Sequence, residues 1–253
     1  MRFTIGSDPE YILTDGKRAV SAIGIIEGTK SMPKDTSFGK IHVDNIAAEI
    51  NIFPAQSMME FDQNMVNGLD GLTAILTPHG LQISRLSVAE FSEEELSHPT
   101  ANEAGCDPDV NAYTQTWNCV PMLQGIRHRC VGGHIHIGAD LTPSDMEKLA
   151  KTLDLMVSLP SMAHDHPLRR GIYGGAGSFR PKPYGMEYRT PSNNWTFDSA
   201  TRQWVFMQVD RALHEFKTIS LPEELDTIIN GHHLSFIAPL CEKYAIPQYP
   251  TVL

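Results

Sequence analysis

The sequence predicts an α+β fold in a single domain spanning residues 1–253. Three observations carry this. Short runs with two-residue alternation recur along the chain, bounded by glycine and proline, as strands require. Three segments, 61–79, 143–158 and 199–218, instead carry apolar residues at helical spacing. No linker rich in Pro, Gly and Ser separates the two kinds of segment, so they share one core. With 253 residues, 41% hydrophobic and 20% charged, the chain has enough apolar surface to build that core.

Residues 2–13 read as a strand interrupted by Asp8-Pro9-Glu10, where proline demands an edge or a bulge. A turn at Asp15-Gly16 makes the next short strand its hairpin partner. Residues 24–40, rich in Gly, Lys, Ser and Pro, read as loop. Residues 41–53 form the clearest strand, with Ala48, Ile50 and Ile52 on one face and Ala47, Glu49, Asn51 and Phe53 on the other. Met65, Leu69, Leu72 and Leu76 give the first helix a buried stripe, and Pro78–Gly80 ends it. Residues 81–91 return to strand, and Glu93-Glu94-Glu95 is a solvated run. Gly105-Cys-Asp107-Pro108-Asp109 echoes Gly6-Ser-Asp8-Pro9-Glu10, with no wider repeat. Residues 131–138, VGGHIHIG, form a strand with His134 and His136 on one face. The helix over 143–158 starts at Pro143 with a capping box at Ser144 and Glu147, and buries Leu149, Leu153 and Met156. The helix over 199–218 buries Val205, Val209, Leu213 and Phe216. A shorter helix follows at 222–230, and the two-proline tail AIPQYPTVL is extended.

A formal net charge of −10 argues against non-specific binding to nucleic acid or to anionic membranes, because both need a basic surface. The cysteines at 106, 119, 130 and 241 show no zinc spacing, which fits a reduced, cytoplasmic setting. The N-terminal MRFTIGSDPEY lacks a signal-peptide apolar run, and no stretch reaches membrane-spanning length. Walker, Rossmann and Gly-x-Ser-x-Gly patterns are missing from the sequence.

The stretch Arg169–Trp195 gathers Arg169, Arg170, Arg180 and Arg189 around the single acid Glu187, among several glycines. Arginine forks onto carboxylates and phosphates, and glycine lets the backbone approach a ligand. On the strand Gly185–Thr190, Glu187 and Arg189 share one face. Four candidate strands thus present unusual polar faces: Asp8 or Glu10, Glu49 with Asn51, His134 with His136, and Glu187 with Arg189. Carboxylates that converge on one sheet face cost several kcal/mol each to desolvate unless paired. Arginines offset part of this. Divalent cations offset more, and an oxygen-rich donor set suits Mg²⁺ or Mn²⁺.

Five ordered blocks carry a resemblance to a known family: Gly6-Ser-Asp8-Pro9-Glu10, Asp44-Asn45 with Glu49-x-Asn51, Gly105 to Asp109, Gly132 to Gly138, and Arg169-Arg170 through Glu187-Tyr-Arg189-Thr-Pro-Ser. Together they resemble the phage-type carboxylate–amine ligases, type 2, within the glutamine synthetase and glutamate–cysteine ligase superfamily. The resemblance covers residues 6–195. It implies a curved antiparallel sheet, a half-barrel with helices on its convex face, holding ATP and Mg²⁺ or Mn²⁺ on the concave side. It implies Asp8, Glu10, Glu49, Asn51, His134 and Glu187 as metal ligands, with Pro9 and Asn51 as departures from the parent pattern. It implies His136, Arg170, Arg180 and Tyr184 as nucleotide contacts, and Arg170, Arg180, Glu187 and Arg189 as the catalytic set. The implied activity joins a small-molecule or peptide carboxylate to an amine through an acyl phosphate, releasing ADP and phosphate. The setting is the cytoplasm, the host's if the chain is viral, and homo-oligomers are possible in such a superfamily. The alternative reading is a cupin-like metal-binding β-barrel, an oxygenase or a binding module, built on His134-x-His136 and Asp140.

Overall fold

Alternation along residues 39–52 builds a hairpin, and a second set of alternating strands packs its acids toward it. The computed structural model describes residues 2–103, 108–120 and 122–250. The strands that matter for function are β1 (Thr4–Ser7), β2 (Glu10–Tyr11), β3 (Lys34–Thr36), β4 (Gly39–Asp44), β5 (Ala47–Ile52), β6 (Val110–Asn111), β7 (Thr116–Trp117), β8 (Ile135–Gly138), β9 (Ser178–Lys182) and β10 (Gly185–Tyr188). One six-stranded sheet runs β1-β8-β10-β9-β6-β7, and a four-stranded sheet runs β2-β5-β4-β3. The named pairings are antiparallel. Two small sheets join His128–Cys130 to Val88–Glu90, and Leu13–Thr14 to Ala19–Val20 and Gln82–Ile83.

The fold is therefore α+β with antiparallel pairing. The single curved sheet expected from the resemblance is instead shared among separate sheets. Pro9 is the physical reason at the first strand: it has no N–H to donate to a ladder. Accordingly β1 ends at Ser7, and β2 begins at Glu10 in the other sheet.

Register fixes which side chains share a face. Across the six-stranded sheet, Gly6, His136, Glu187 and Arg180 lie in one row. The neighbouring positions Ile5, Ile137, Met186, Ile135, Tyr188 and Phe179 turn the other way into the core. Across the four-stranded sheet, Glu10, Glu49 and His42 form a second row.

Helices cover the apolar sides. Helix α1 (Met58–Leu76) is capped by Ser57, whose Oγ accepts from Glu60 N, and buries Phe61, Met65, Leu72 and Leu76. Leu69 of the expected stripe is only partly buried. Helix α2 (Pro143–Leu153) packs Leu149 and Leu153 in the same core as Met186 and Tyr188. Its capping box is Thr142 with Asp145, not Ser144 with Glu147. Pro143 occupies the first helical position, so the cap must be the residue before it. The helix continues as a π-helical turn, Asp154–Ser158. Helices α3 (Ser199–Glu215), α4 (Leu225–Asn230) and α5 (Ile237–Lys243) complete the outer layer.

Further expectations need correction. Residues 41–53 are not one strand: β4 and β5 turn on Asn45-Ile46, where Asn45 adopts φ 55°. Asn tolerates that left-handed conformation, and its amide also donates to Thr100 O and Glu103 O. Lys34–Thr36 is a strand within the expected loop. Residues 81–91 split into two short strands of different sheets. The C-terminal region carries α5 before its extended residues 246–250. Gly105, Cys106 and Asp107 lie outside the described residues. Among the described residues, no helix is long and apolar enough to cross a membrane.

Candidate cation and anion site

The row on the six-stranded sheet supplies the first cluster. Ligand atoms of Asp8, His136 and Glu187 lie within 4.8 Å of one another. His136 Nε2 stands 2.9 Å from Asp8 Oδ2, and His134 Nδ1 lies 3.1 Å from Asp8 Oδ1 and 3.7 Å from Glu187 Oε1. Burial opposes ionisation of Asp8, but the charge of His136 and hydrogen bonds from both histidines outweigh it and hold the carboxyl well below its usual range. Burial alone would lower His136, and the Asp8 carboxylate reverses this to a raised value. For Glu187, fully buried, burial is again outweighed, here by Arg189, and the carboxyl is held down at about 2.

The row on the four-stranded sheet supplies the second. Glu10, Asp44 and Glu49, all buried, place carboxylate oxygens within 4.8 Å of one another. Burial, and after it the charge of Asp44, pushes Glu10 up to about 8. His42 Nε2 lies 3.5 Å from Glu49 Oε1, and Asn51 donates to the same oxygen at 3.2 Å. Asn51 thus touches the cluster through its amide N–H. Asp44 of this cluster and His42 beside it lie outside the expected ligand set. Reading 41–53 as one strand hid them, because their face is set by the turn at Asn45.

His134 joins the two clusters. Its Nε2 is 3.8 Å from Glu10 Oε1, and Tyr173 Oη sits 2.7 Å from that nitrogen and donates to Glu10 Oε1 at 3.5 Å. So positions 10, 49, 134 and 187, distant in sequence, are brought together. Gly132 makes this possible. A Cβ there would stand 2.3 Å from His134 Nε2, and its N–H donates to Glu10 Oε2 at 2.7 Å. Tyr173 was missed in the sequence, where it sits in a glycine-rich stretch with no alternation to give its direction.

The basic residues divide into three roles. Arg180 Nη1 lies 3.3 Å and Lys182 Nζ 2.6 Å from Glu187 Oε2, on the rim of the first cluster. Arg189 bonds Glu187 and Tyr173 closely and donates through Nε to Asp109 Oδ2 at 3.0 Å. Arg169 is structural: fully buried, it donates to Val131 O, Thr190 O and Pro191 O, each at 2.8 Å. Arg170 is buried 3.3 Å from Asp165 Oδ2, and among the described residues none of its three guanidinium nitrogens has a hydrogen-bond partner. Arg170 and Arg189 line a cavity of about 200 Å³ with Asn118, Tyr173, Gly174 and Ser178. Tyr184, 47% exposed, stacks on His136 and shares a 2.8 Å hydrogen bond with its Nδ1. It sits in the Pro183-Tyr184 turn closed by Gly185, where a Cβ would meet Ile137 O at 2.1 Å.

The donor sets fit hard divalent cations. One cluster is all carboxylate and the other is two carboxylates with an imidazole. Both draw on buried oxygens whose mutual repulsion a cation relieves. The cupin reading gains nothing here, since Asp140 is exposed while the acids it leaves unexplained form the clusters.

Residues 118–224 match the family model described as Phage phiEco32-like COOH.NH2 ligase-type 2. The matched segment contains His134, His136, Arg170, Tyr173, Arg180, Glu187 and Arg189, but not Asp8, Glu10, Asp44 or Glu49. It begins later than the resemblance drawn from motifs and runs further, through all of α3 and up to α4. The family's name is that of a carboxylate–amine ligase. No curated protein sequence matches the chain.

Proposed function

We propose that this chain is an ATP-dependent carboxylate–amine ligase that forms an amide or isopeptide bond through an acyl phosphate. The observation that carries the reading is the meeting of the two clusters across His134, with arginines and Lys182 at the rim. Joining a carboxylate to an amine needs prior activation. In the first step a carboxylate oxygen attacks the γ-phosphorus of ATP, ADP leaves, and the acyl phosphate forms. In the second the amine nitrogen attacks the acyl carbon and inorganic phosphate leaves.

Asp8, His136 and Glu187 would hold one Mg²⁺ or Mn²⁺, and Glu10, Asp44 and Glu49 another. Such ions neutralise phosphate charge and polarise the transferred group. In this reading His134 and His136 exchange the duties implied by resemblance. His136 is grouped with the acids, and His134 locks the two clusters together through Asp8 and Tyr173. Asn51 orients Glu49. Arg180 and Lys182 meet the phosphoryl oxygens, and the cavity beside Arg170 and Arg189 takes a phosphate or carboxylate. Tyr184 offers an exposed aromatic face to the nucleotide. The amine becomes nucleophilic by giving its proton to a carboxylate of the site.

The test is to incubate the protein with Mg²⁺-ATP, mixed amino acids or peptides, and hydroxylamine, and to assay ADP and hydroxamate. Hydroxamate traps the acyl phosphate. Arg180→Ala should lose about 10²–10³-fold in rate, as the removal of one preorganised charge-stabilising donor does. Full activity in both Arg180→Ala and Glu187→Ala would refute the site, and ADP release without hydroxamate or amide would refute the reaction.

A further inference from the structure

Arg189 is shared between two carboxylates. Its Nη1 bonds Glu187 Oε1, and its Nε donates to Asp109 Oδ2 at 3.0 Å. Arg189 is buried, Asp109 is nearly so, and the guanidinium also lies over the Tyr173 ring, 5.4 Å from its centroid. Asp109 is itself tethered. Asn118 Nδ2 donates to Asp109 Oδ1 at 2.8 Å and to Ser178 Oγ at 3.1 Å, and Asn118 N donates to Asp109 O at 2.8 Å. These two residues close the β6–β7 hairpin, Asp109 just before β6 and Asn118 just after β7. That hairpin is the edge of the sheet whose centre carries Glu187.

We infer that Asp109, held by Asn118, is a positioning residue that gives the Arg189 guanidinium a second carboxylate to keep when a cation takes the oxygens of Glu187. The inference rests on the proposed reading of Glu187 as a cation ligand. A guanidinium and a divalent cation compete for the same carboxylate oxygen, because each neutralises it. With Asp109 charged, Arg189 can keep one strong carboxylate partner when a cation takes Glu187. With Asp109 neutral, the nearest buried anion left to Arg189 is Glu187, and the cation must displace it. The edge hairpin thereby tunes the affinity of a cluster it does not join. Asp109 touches no reacting atom, and its effect passes entirely through Arg189.

A double-mutant cycle tests this, with Mn²⁺ binding to the full chain measured by titration calorimetry and folding checked by thermal unfolding. Asp109→Asn should weaken Mn²⁺ binding by about 10-fold when Arg189 is present, and by less than about 2-fold in the Arg189→Gln background. Equal losses in both backgrounds would mean that Asp109 acts as a charge through space, and would overturn the inference while leaving the cation site standing. No loss in either background would overturn it as well. Failure of the wild-type chain to bind Mn²⁺ would overturn both the inference and the reading beneath it. Should Asp109→Asn fail to fold, the cycle is run with Asn118→Ala, which keeps the carboxylate and removes its tether. There a loss of about 3-fold confined to the Arg189 background supports the inference, and no loss overturns it.

Discussion

Asp154 gives the sharpest stability prediction, because it is buried, lies behind the sheet and has a pronounced pKa shift. It sits at the start of the π-helical turn that ends α2. Its Oδ1 accepts from Tyr188 Oη and its Oδ2 from Gly177 N, both at 2.6 Å, and Ser158 Oγ pairs with the same phenol. Burial outweighs these bonds and pushes the carboxyl up to about 6. An unfolded aspartate titrates near 3.9, so the shift is about two units, or roughly 3 kcal/mol. The sign follows from proton uptake. Between about pH 3.9 and 6 the native state holds a proton that the unfolded state has released. Stability from this group therefore falls as pH rises through that window, and the loss is complete above it. Asp154→Asn resembles the protonated form and lacks the effect. Unfolding of both proteins should be followed at about pH 3 and pH 7. The difference in stability between them should move by about 3 kcal/mol in favour of Asn on going to pH 7. With about 2.1 cal/mol/K of unfolding entropy per residue over 253 residues, this is about 6 °C in Tm. Glu10, pushed up by burial and Asp44, and Asp8 and Glu187, held down by their cationic neighbours, titrate in both proteins and cancel. Parallel pH profiles for the two proteins would refute the assignment of an ionisation penalty to Asp154.

Three further outcomes are expected. Mn²⁺ at about 100 times its dissociation constant should add about 2.7 kcal/mol to stability, read as a rise in Tm, and Glu49→Gln should shrink that rise. Gly132→Ala should cost about 1–3 kcal/mol and blunt the same Mn²⁺ response, because its methyl would stand 2.3 Å from His134 Nε2 and must drive the imidazole off Tyr173. Arg169→Ala removes one donor from each of three buried carbonyls and breaks the buried pair with Asp165, and should destabilise by about 3–5 kcal/mol, measured by urea unfolding.

The strands were legible where period-two alternation met a buried face. Ile135 and Ile137 against His136, and Met186 and Tyr188 against Glu187, fall on opposite faces as alternation requires. The helical stripes at Met65, Leu72 and Leu76, and at Val205, Val209 and Leu213, are buried as their spacing demands. What the sequence hid were features decided by long-range partners. Nothing local distinguishes Asp44 from a turn residue until β2 brings Glu10 beside Glu49. Arg169 and Arg170 are adjacent and look alike, yet one staples three carbonyls and the other's guanidinium has no hydrogen-bond partner among the described residues. Tyr173, Asp109 and Asn118 owe their roles to approaches across 9 to 163 residues of sequence, which no window of periodicity can show.

Asp8 and Glu10 illustrate how a local rule and the fold combine. On an unbroken strand, residues two apart share a face, and both acids would serve one cluster. Pro9 removes the N–H that would continue the ladder, and the chain changes sheets between them. Pro9 O still accepts from Ile50 N at 3.2 Å, and Glu10 N donates to Gly132 O at 2.9 Å, so the crossing point is fixed on both sides. The consequence is that Asp8 joins His136 and Glu187, while Glu10 joins Asp44 and Glu49. His134 reaches Asp8 with one ring nitrogen and approaches Glu10 with the other. The proline that weakens the first strand as a strand is thus what lets a two-residue step serve two clusters, with one imidazole as the rigid spacer between them.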